Sequence, residues 1–424
     1  MAPTDFSKSH DLIVVGAGAA GLAAAARARE LGLSTLLLEA KDRIGGRCFT
    51  DTSSLGLPWD QGAHWMHQAR SNPLVAAAQR LGHTWLEQPR KVRHWLTTES
   101  RWATKEEETD IGLYIAACYQ AIEAAGRERQ DSSVAQVLPP HPRWRPYAEG
   151  WLQALNGCEV EQISVHDYSR YREDDANWPL DRGYGTLLAA LHRRTQAMLN
   201  TRVTCIDWSG SEISVDTSRG SFRSRFLIAA LPTPVLARPH LFAPELPKEK
   251  QWAALALPLG RHEKLALRFD ETVLPDEKHW YFHRVHSRRA ALNGICRPFG
   301  RPMILLHLGG SLLSDWGINS AAQALDPALD FLEEMLDRPL RTQLAGWRAT
   351  DWAGDPLIGG SYSSALPGAA GAREELAAPL ADRLFFAGEA CSIPAYGTVH
   401  GAHLSGLAAA EQVHRASLKL KAQA

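Results

Sequence analysis

Cysteine is sparse and scattered. The six thiols stand at positions 48, 118, 158, 205, 296 and 391, with no CxxC or CxH spacing among them. That excludes a zinc site built from neighbouring cysteines and leaves no disulfide framework, so free thiols of a reducing compartment are expected, with no metal. Long hydrophobic runs are also missing: nothing approaches the roughly 18 apolar residues of a membrane span. The N-terminal MAPTDFSKSH has no apolar signal core, so a cytoplasmic protein without a membrane partner is expected. Neither sign of charge is in excess. Lys and Arg total 46, Asp and Glu total 47, and the formal net charge is −1. A dedicated nucleic-acid binder would carry a positive surplus. The basic groups Arg90, Lys91 and Arg93, and Arg284, Arg288 and Arg289, therefore read as solvated loops.

What is present describes a globular chain of 424 residues, 45% hydrophobic and 22% charged, long enough for two or three domains. Tryptophan is abundant at 14 residues, which suits either a rich core or an aromatic-lined pocket.

The first forty residues are the most legible. Asp11–Val15 is an unbroken β-favouring run, read as a strand buried on both faces. The run GAGAAG follows at once, with Gly16, Gly18 and Gly21, and an Ala-rich helix runs to Leu31 before Gly32. Ser34–Leu38 is a second strand ending at Glu39, 18 residues after the last glycine. This is a βαβ unit of the dinucleotide-binding kind. Gly16 allows the tight turn, Gly18 lets the backbone approach a pyrophosphate, and Gly21 brings helix and strand together. Glu39 is placed to accept from a ribose diol.

Further on, Asn72-Pro73 opens a helix that Gly82 closes, and Thr104 with Glu107 forms a capping box for a helix to about Ala125. The prolines of 139–146 predict irregular chain, and the pattern predicts a helix from Gly185 to Leu199. Strands are expected over Arg202–Asp207, Glu212–Asp216, Ser221–Ala230, Glu263–Phe269 and Arg383–Phe386. Helices are expected from Asp326 through Leu336 and from about Gly401 to His414. In HEKLALRF, alternation sends Leu265, Leu267 and Phe269 to one face and Lys264, Ala266 and Arg268 to the other, where a lysine is ordinarily solvated. Glu159, Glu161, Asp174 and Asp175 read as surface carboxylates.

Several motifs beyond the glycine turn resemble one family, the flavin-dependent amine oxidases, in its polyamine oxidase and lysine demethylase-like branch. They are LEAKDRIGGR over 38–47, DQGAHWMH over 60–67, GRHEK over 260–264, WAGDPLIGGSY over 352–362, AGE over 387–389 and TVHGA over 398–402. The resemblance implies an α/β chain in which a Rossmann-type FAD domain (1–75, 180–240 and 375–424) interleaves with a mixed-sheet and helical substrate domain (76–179 and 241–374). It implies non-covalent FAD held by Gly16, Gly18, Ala20, Gly21, Glu39, Lys41, Gly46, Arg47, Gly62, Ala63, His64, Trp65, Val203, Gly388, Glu389, Thr398, Val399 and Ala402. Arg47 would serve the pyrophosphate, Val203 the adenine, Glu389 the ribityl chain, and Val399 the flavin edge from a helix N-terminus. Lys264, His67, Tyr362 and Thr398 are the catalytic candidates it implies, with Lys264 near flavin N5. Two positions depart from the family pattern. Ser361 stands where covalent members carry cysteine, and Thr398 stands where monoamine-type members carry a second cage tyrosine.

The implied activity is oxidation of an amine C–N bond, with O2 reduced to hydrogen peroxide. An L-amino-acid oxidase, a desaturase or isomerase on an apolar substrate, and a non-enzymatic flavoprotein remain as alternatives. A histone demethylase is disfavoured because the chain lacks room for a long helical insertion. The sequence leaves the oligomeric state open.

Overall fold

The computed structural model describes residues 9–87, 91–270, 273–287, 289 and 291–423. Arg90 and Arg288 of the basic groups lie outside them. The strand His10–Val15 is central to the first sheet because Leu12, Ile13 and Val14 are fully buried on both of its faces. It pairs in parallel with Thr35–Leu38 on one side and Gly220–Ala229 on the other. Gly220–Ala229 also takes Leu384–Phe386 in parallel and continues antiparallel into Ile213–Thr217 and Val203–Asp207. The helix Ala19–Glu30 crosses from the first strand to the second, as the βαβ reading predicts. Its small residues let the C-terminal helix Val399–Gln423 lie against it at contact distance: a Cβ on Gly406 would sit 2.1 Å from the Ala20 carbonyl oxygen. One core cluster joins both helices to the sheet.

The second sheet runs, in order, Leu344–Ala349, His262–Phe269, Met303–Gly309, Ala291–Cys296, Trp280–Val285, Val92–Leu96, Arg101–Trp102. One face packs Leu265, Leu267, Ile304 and Leu306 against the helix Leu325–Leu336. The other face looks toward Leu55, Trp59 and the helix Arg145–Asn156. Leu241, Phe242, Leu246, Ala253, Ala254, Ala256 and Leu257, with Ala365, Ala369 and Ala372, all expected with the second unit, pack in the core of the first sheet.

Several expectations need correction. The helix expected over 185–199 stops at Leu191. Beyond it, Met198 exchanges backbone bonds with Leu37 and Glu39 at the end of the second strand, and this pairing requires extended chain. The segment 139–146 is irregular only to Trp144, since Arg145 and Pro146 form the first turn of a helix, where a missing N–H costs nothing. The C-terminal helix runs to Gln423 rather than His414. The arginine groups are not free loops. Arg93 pairs with Glu277 from within a strand, Arg284 lies in a strand beside the rings of Trp316 and Phe331, and Arg289 pairs with Glu149 and Glu161. Among the described residues no helix is long and apolar enough to cross a membrane, and no group of three or more His, Cys, Asp or Glu could hold a metal ion.

Candidate active site

The glycine turn is built from close backbone approaches. Gly16 has φ +99°, and a Cβ on Gly21 would fall 1.8 Å from the Gly16 carbonyl oxygen, so neither position admits a side chain. A Cβ on Gly18 or Gly388 would meet nothing within 4 Å, so both face open space. Gly46 closes over the turn: a Cβ on it would sit 3.3 Å from the Gly18 Cα. Glu39 braces the turn from behind, accepting from the Ala17 N–H at 2.7 Å and the Lys41 N–H at 2.9 Å. Lys41 forms an ion pair with Asp355. Val203 opens its strand, partly buried against the first-sheet core. Arg47 donates to the Ser361 carbonyl and, at 3.1 Å, to Glu389. Glu389 also accepts from the Ser363 N–H, the Ser363 hydroxyl and the Gly397 N–H. Burial alone would raise its carboxyl, but Arg47 and Arg373 hold it below the usual range. Behind it, Arg373 is fully buried and grips Asp167 through two bonds of 2.8 Å.

Thr398 is the N-terminal cap of the last helix. Its hydroxyl donates to the Ala395 carbonyl at 2.6 Å and accepts the Gly401 N–H at 3.0 Å. Ala402 closes the first helical bond onto Thr398, while Val399 and His400 occupy first-turn positions whose N–H groups have no intrahelical acceptor. Their N–H groups form a ready anion-stabilising terminus.

The lysine is the largest departure from pattern. Lys264 is 4% exposed, not solvated, because the segment 59–67 lies over its side of the strand. Its Nζ donates to the carbonyls of Asp60 at 2.9 Å and Gly62 at 2.6 Å. Burial pushes its pKa down to about 8. Gly62 must be glycine, since a Cβ would sit 1.8 Å from the Arg47 carbonyl oxygen, and Ala63 donates its N–H to that same carbonyl at 3.2 Å. One stretch of chain thus links the glycine-turn side to the lysine. The neighbouring Glu263 pins the turn at 350–353, accepting from the Thr350 hydroxyl, Trp352 N–H and Ala353 N–H.

Around Lys264 stand Trp65, His307, His262 and Tyr362. Trp65 stacks on His307 with centroids 5.2 Å apart. His307 lies directly across the ladder from Lys264, and its Nδ1 is 3.1 Å from His262 Nε2. Tyr362 donates to the Ala154 carbonyl at 2.6 Å and lies 3.0 Å from His262 Nδ1. Burial, with Lys264 nearby, lowers His262 to about 4, so the ring is neutral. His64 is buried on Asp60 at 2.9 Å, while His67 is half-buried and bonded to Asn177. Sequence reasoning missed His262, although it sits in the GRHEK motif, and His307, a lone histidine in an apolar strand with no local signal. The carboxylates Glu159 and Glu161 stay apart from this cluster, bonded to Gln153 and Arg289.

Comparison with known proteins agrees with this architecture. A family model for flavin containing amine oxidoreductase matches residues 124–414, and one for an NAD(P)-binding Rossmann-like domain matches 14–81. Polyamine oxidase 3 of Oryza sativa subsp. japonica is 30% identical over 96% of this chain and 90% of its own length. Lysine-specific histone demethylase 2 of Homo sapiens is 26% identical over 97% of this chain but only 54% of its own. Cyclohexylamine oxidase from Brevibacterium oxydans IH-35A, 20% identical, shares the fold with a TM-score of 0.80 over 97% of this chain and 100% of that one. The chain belongs to the flavin-containing amine oxidoreductase family. It is a flavin-dependent enzyme whose cofactor is FAD, and the open faces at Gly18 and Gly388, the Arg47 cation and the free helix N-terminus fit such a dinucleotide.

Proposed function

We propose that this enzyme oxidises the C–N bond of a small amine to an imine, which water converts to an aldehyde and the released amine, with hydrogen peroxide as the other product. The observation that carries the reading is Lys264: a buried lysine anchored on the carbonyls of Asp60 and Gly62, among Trp65, His307, His262 and Tyr362. When bound, FAD supplies the hydride acceptor and is reoxidised by O2. The chain's part is to hold, desolvate and orient. Gly16, Gly18, Gly46 and Arg47 take the pyrophosphate, Glu39 the ribose, and Val399 N–H a developing negative charge at the helix terminus. Glu389 orients Arg47, and Thr398 acts by capping that helix. Lys264 is the group that holds a water at the reacting edge of the flavin, and Trp65 and Tyr362 wall the amine from solvent. The retained Ser361, its hydroxyl on the Gly260 carbonyl at 2.9 Å, supports non-covalent FAD.

An L-amino-acid substrate would need a guanidinium for its carboxylate. Arg47 and Arg373, which adjoin Glu389, are engaged by Glu389 and Asp167, and this favours the plain amine. A peroxide assay over mono-, di- and polyamines and L-amino acids tests the reading. Peroxide from amines is expected. Peroxide from amino acids alone would replace it with the amino-acid reading.

A further inference from the structure

The ladder registers of the second sheet line up one transverse polar row. His94 lies opposite His283, His283 opposite Asn293, Asn293 opposite His307, and His307 opposite Lys264. Directly paired residues share a face of a sheet. Five polar side chains therefore cross the face that carries the candidate site, beside a mainly apolar row of Ala266, Leu305, Ile295 and Tyr281. None of the sequence motifs contains Asn293.

Two hydrogen-bond chains hold the histidines on either side of Asn293. The Ala154 carbonyl can only accept, so His262 Nδ1 donates to it at 3.0 Å. His262, neutral by burial, then accepts through Nε2 from His307 Nδ1. At the other end Glu108 accepts from His94 Nδ1 at 2.6 Å, and His94 Nε2 lies 2.8 Å from the Tyr147 hydroxyl. The same hydroxyl lies 2.8 Å from His283 Nδ1, which ties the two rings together. Each ring carries an indole: Trp65 on His307 at 5.2 Å, and Trp151 on His283 at 4.8 Å. The histidines are 4% and 7% exposed, while Asn293, Trp65 and Trp151 are partly exposed. Asn293 is thus an accessible amide between two aromatic faces and two buried imidazoles.

Charge orients what can lie along this row. At its Lys264 end a cation repels an ammonium and favours a neutral amine. Two strands away, ~10 Å at the usual strand spacing, Asn293 offers its side-chain carbonyl and two indoles to a cation. We propose that Asn293, between Trp65 and Trp151, is the subsite for a second, protonated nitrogen of the substrate, whose reacting amine lies neutral beside Lys264. This inference rests on the amine-oxidation reading. It needs no carboxylate at the subsite. An extended chain advances about 3.8 Å per three bonds, so the span takes about eight bonds and suits linear α,ω-diamines of roughly seven to nine carbons.

The test compares the eight-carbon α,ω-diamine with the eight-carbon monoamine on the FAD-loaded enzyme, with flavin absorbance per chain as the folding control. The wild type should show the lower KM for the diamine. Asn293→Leu should raise the diamine KM about tenfold or more, ~1.4 kcal/mol, and move the monoamine KM less than about twofold. Asn293→Asp, which adds a charge of the right sign at the same size, should lower the diamine KM. Variants that move both amines alike, or a wild type that does not distinguish them, would overturn the subsite while leaving amine oxidation standing. A wild type whose flavin neither amine reduces would overturn both.

Discussion

The two sheets prepare their ligand sites by opposite means. Around the first, the backbone makes the site: Gly16 and Gly21 touch, Gly18 and Gly388 stay open, and the last helix presents first-turn N–H groups. Around the second, side chains make it, carried by strands far apart in sequence and brought level only by register, as Lys264 is with His307. A backbone site tolerates no bulk but asks little of charge. A side-chain site must neutralise or satisfy every polar group it buries. The difference predicts that substitutions at the junction of the two should cost stability, and substitutions on the second sheet should cost rate.

The largest expected effect is at that junction. Arg373 and Asp167 are 0% and 1% exposed and joined by two bonds of 2.8 Å. Arg373→Met strands a buried carboxylate and should cost ~3–5 kcal/mol, read in urea unfolding, with part of the loss recovered when Asp167→Leu is added. A loss under about 1 kcal/mol would mean the pair is not sealed from water.

Lys264→Met should slow flavin reduction or reoxidation at least tenfold, ~1.4 kcal/mol of barrier, with FAD content nearly unchanged. Wild-type rates in both half-reactions would reduce Lys264 to a structural tie. The same residue gives a stability signature. Its folded pKa of about 8 lies below the ordinary 10.5. Between these values the unfolded chain binds the proton and the folded chain does not, so stability gains with rising pH. Below about 8 the full cost of burying the charge is paid. Lys264→Met should abolish this alkaline gain, about 2 kcal/mol, in a comparison of unfolding free energies near pH 7.5 and 9.5.

Legibility in the sequence followed the same division. The glycine turn, Glu39 and the first two strands are local, so six residues of spacing announce them. The capping box at Thr104 and Glu107 is equally local and forms as read. Lys264 was misread as solvated from alternation, because nothing near it in sequence says that segment 59–67 covers its face. Only the resemblance gave reason to expect it away from solvent. His307 and Asn293 carry no local signal, since their neighbours across the ladder lie many residues away. The helix at 145–156 was hidden by prolines, one of which sits in its first turn.

A smaller effect separates capping from chemistry at the last helix. Thr398→Ala should cost about 1 kcal/mol of stability, while Thr398→Ser keeps the hydroxyl and should match the wild type in both stability and turnover. A turnover loss in the serine variant would assign the methyl group a place against the substrate. Ser361 should make no covalent bond at all: acid precipitation should release free yellow FAD, whereas flavin retained on the denatured chain would contradict the non-covalent reading.

The account depends most on the amine reacting in its neutral form. A free alkylamine, with pKa ~10.4, is neutral in only about one molecule in 2,500 at pH 7. Desolvation among Trp65, Tyr362 and His307 can lower that pKa only in part. Anaerobic stopped-flow at saturating amine, following loss of the oxidised flavin absorbance, tests this directly. The rate of flavin reduction should climb between about pH 7 and 9 in the wild type and also in Lys264→Met, which removes the lysine that titrates near 8, and so report a bound-amine pKa below the free value. A rate that is flat or falls across that range would contradict it.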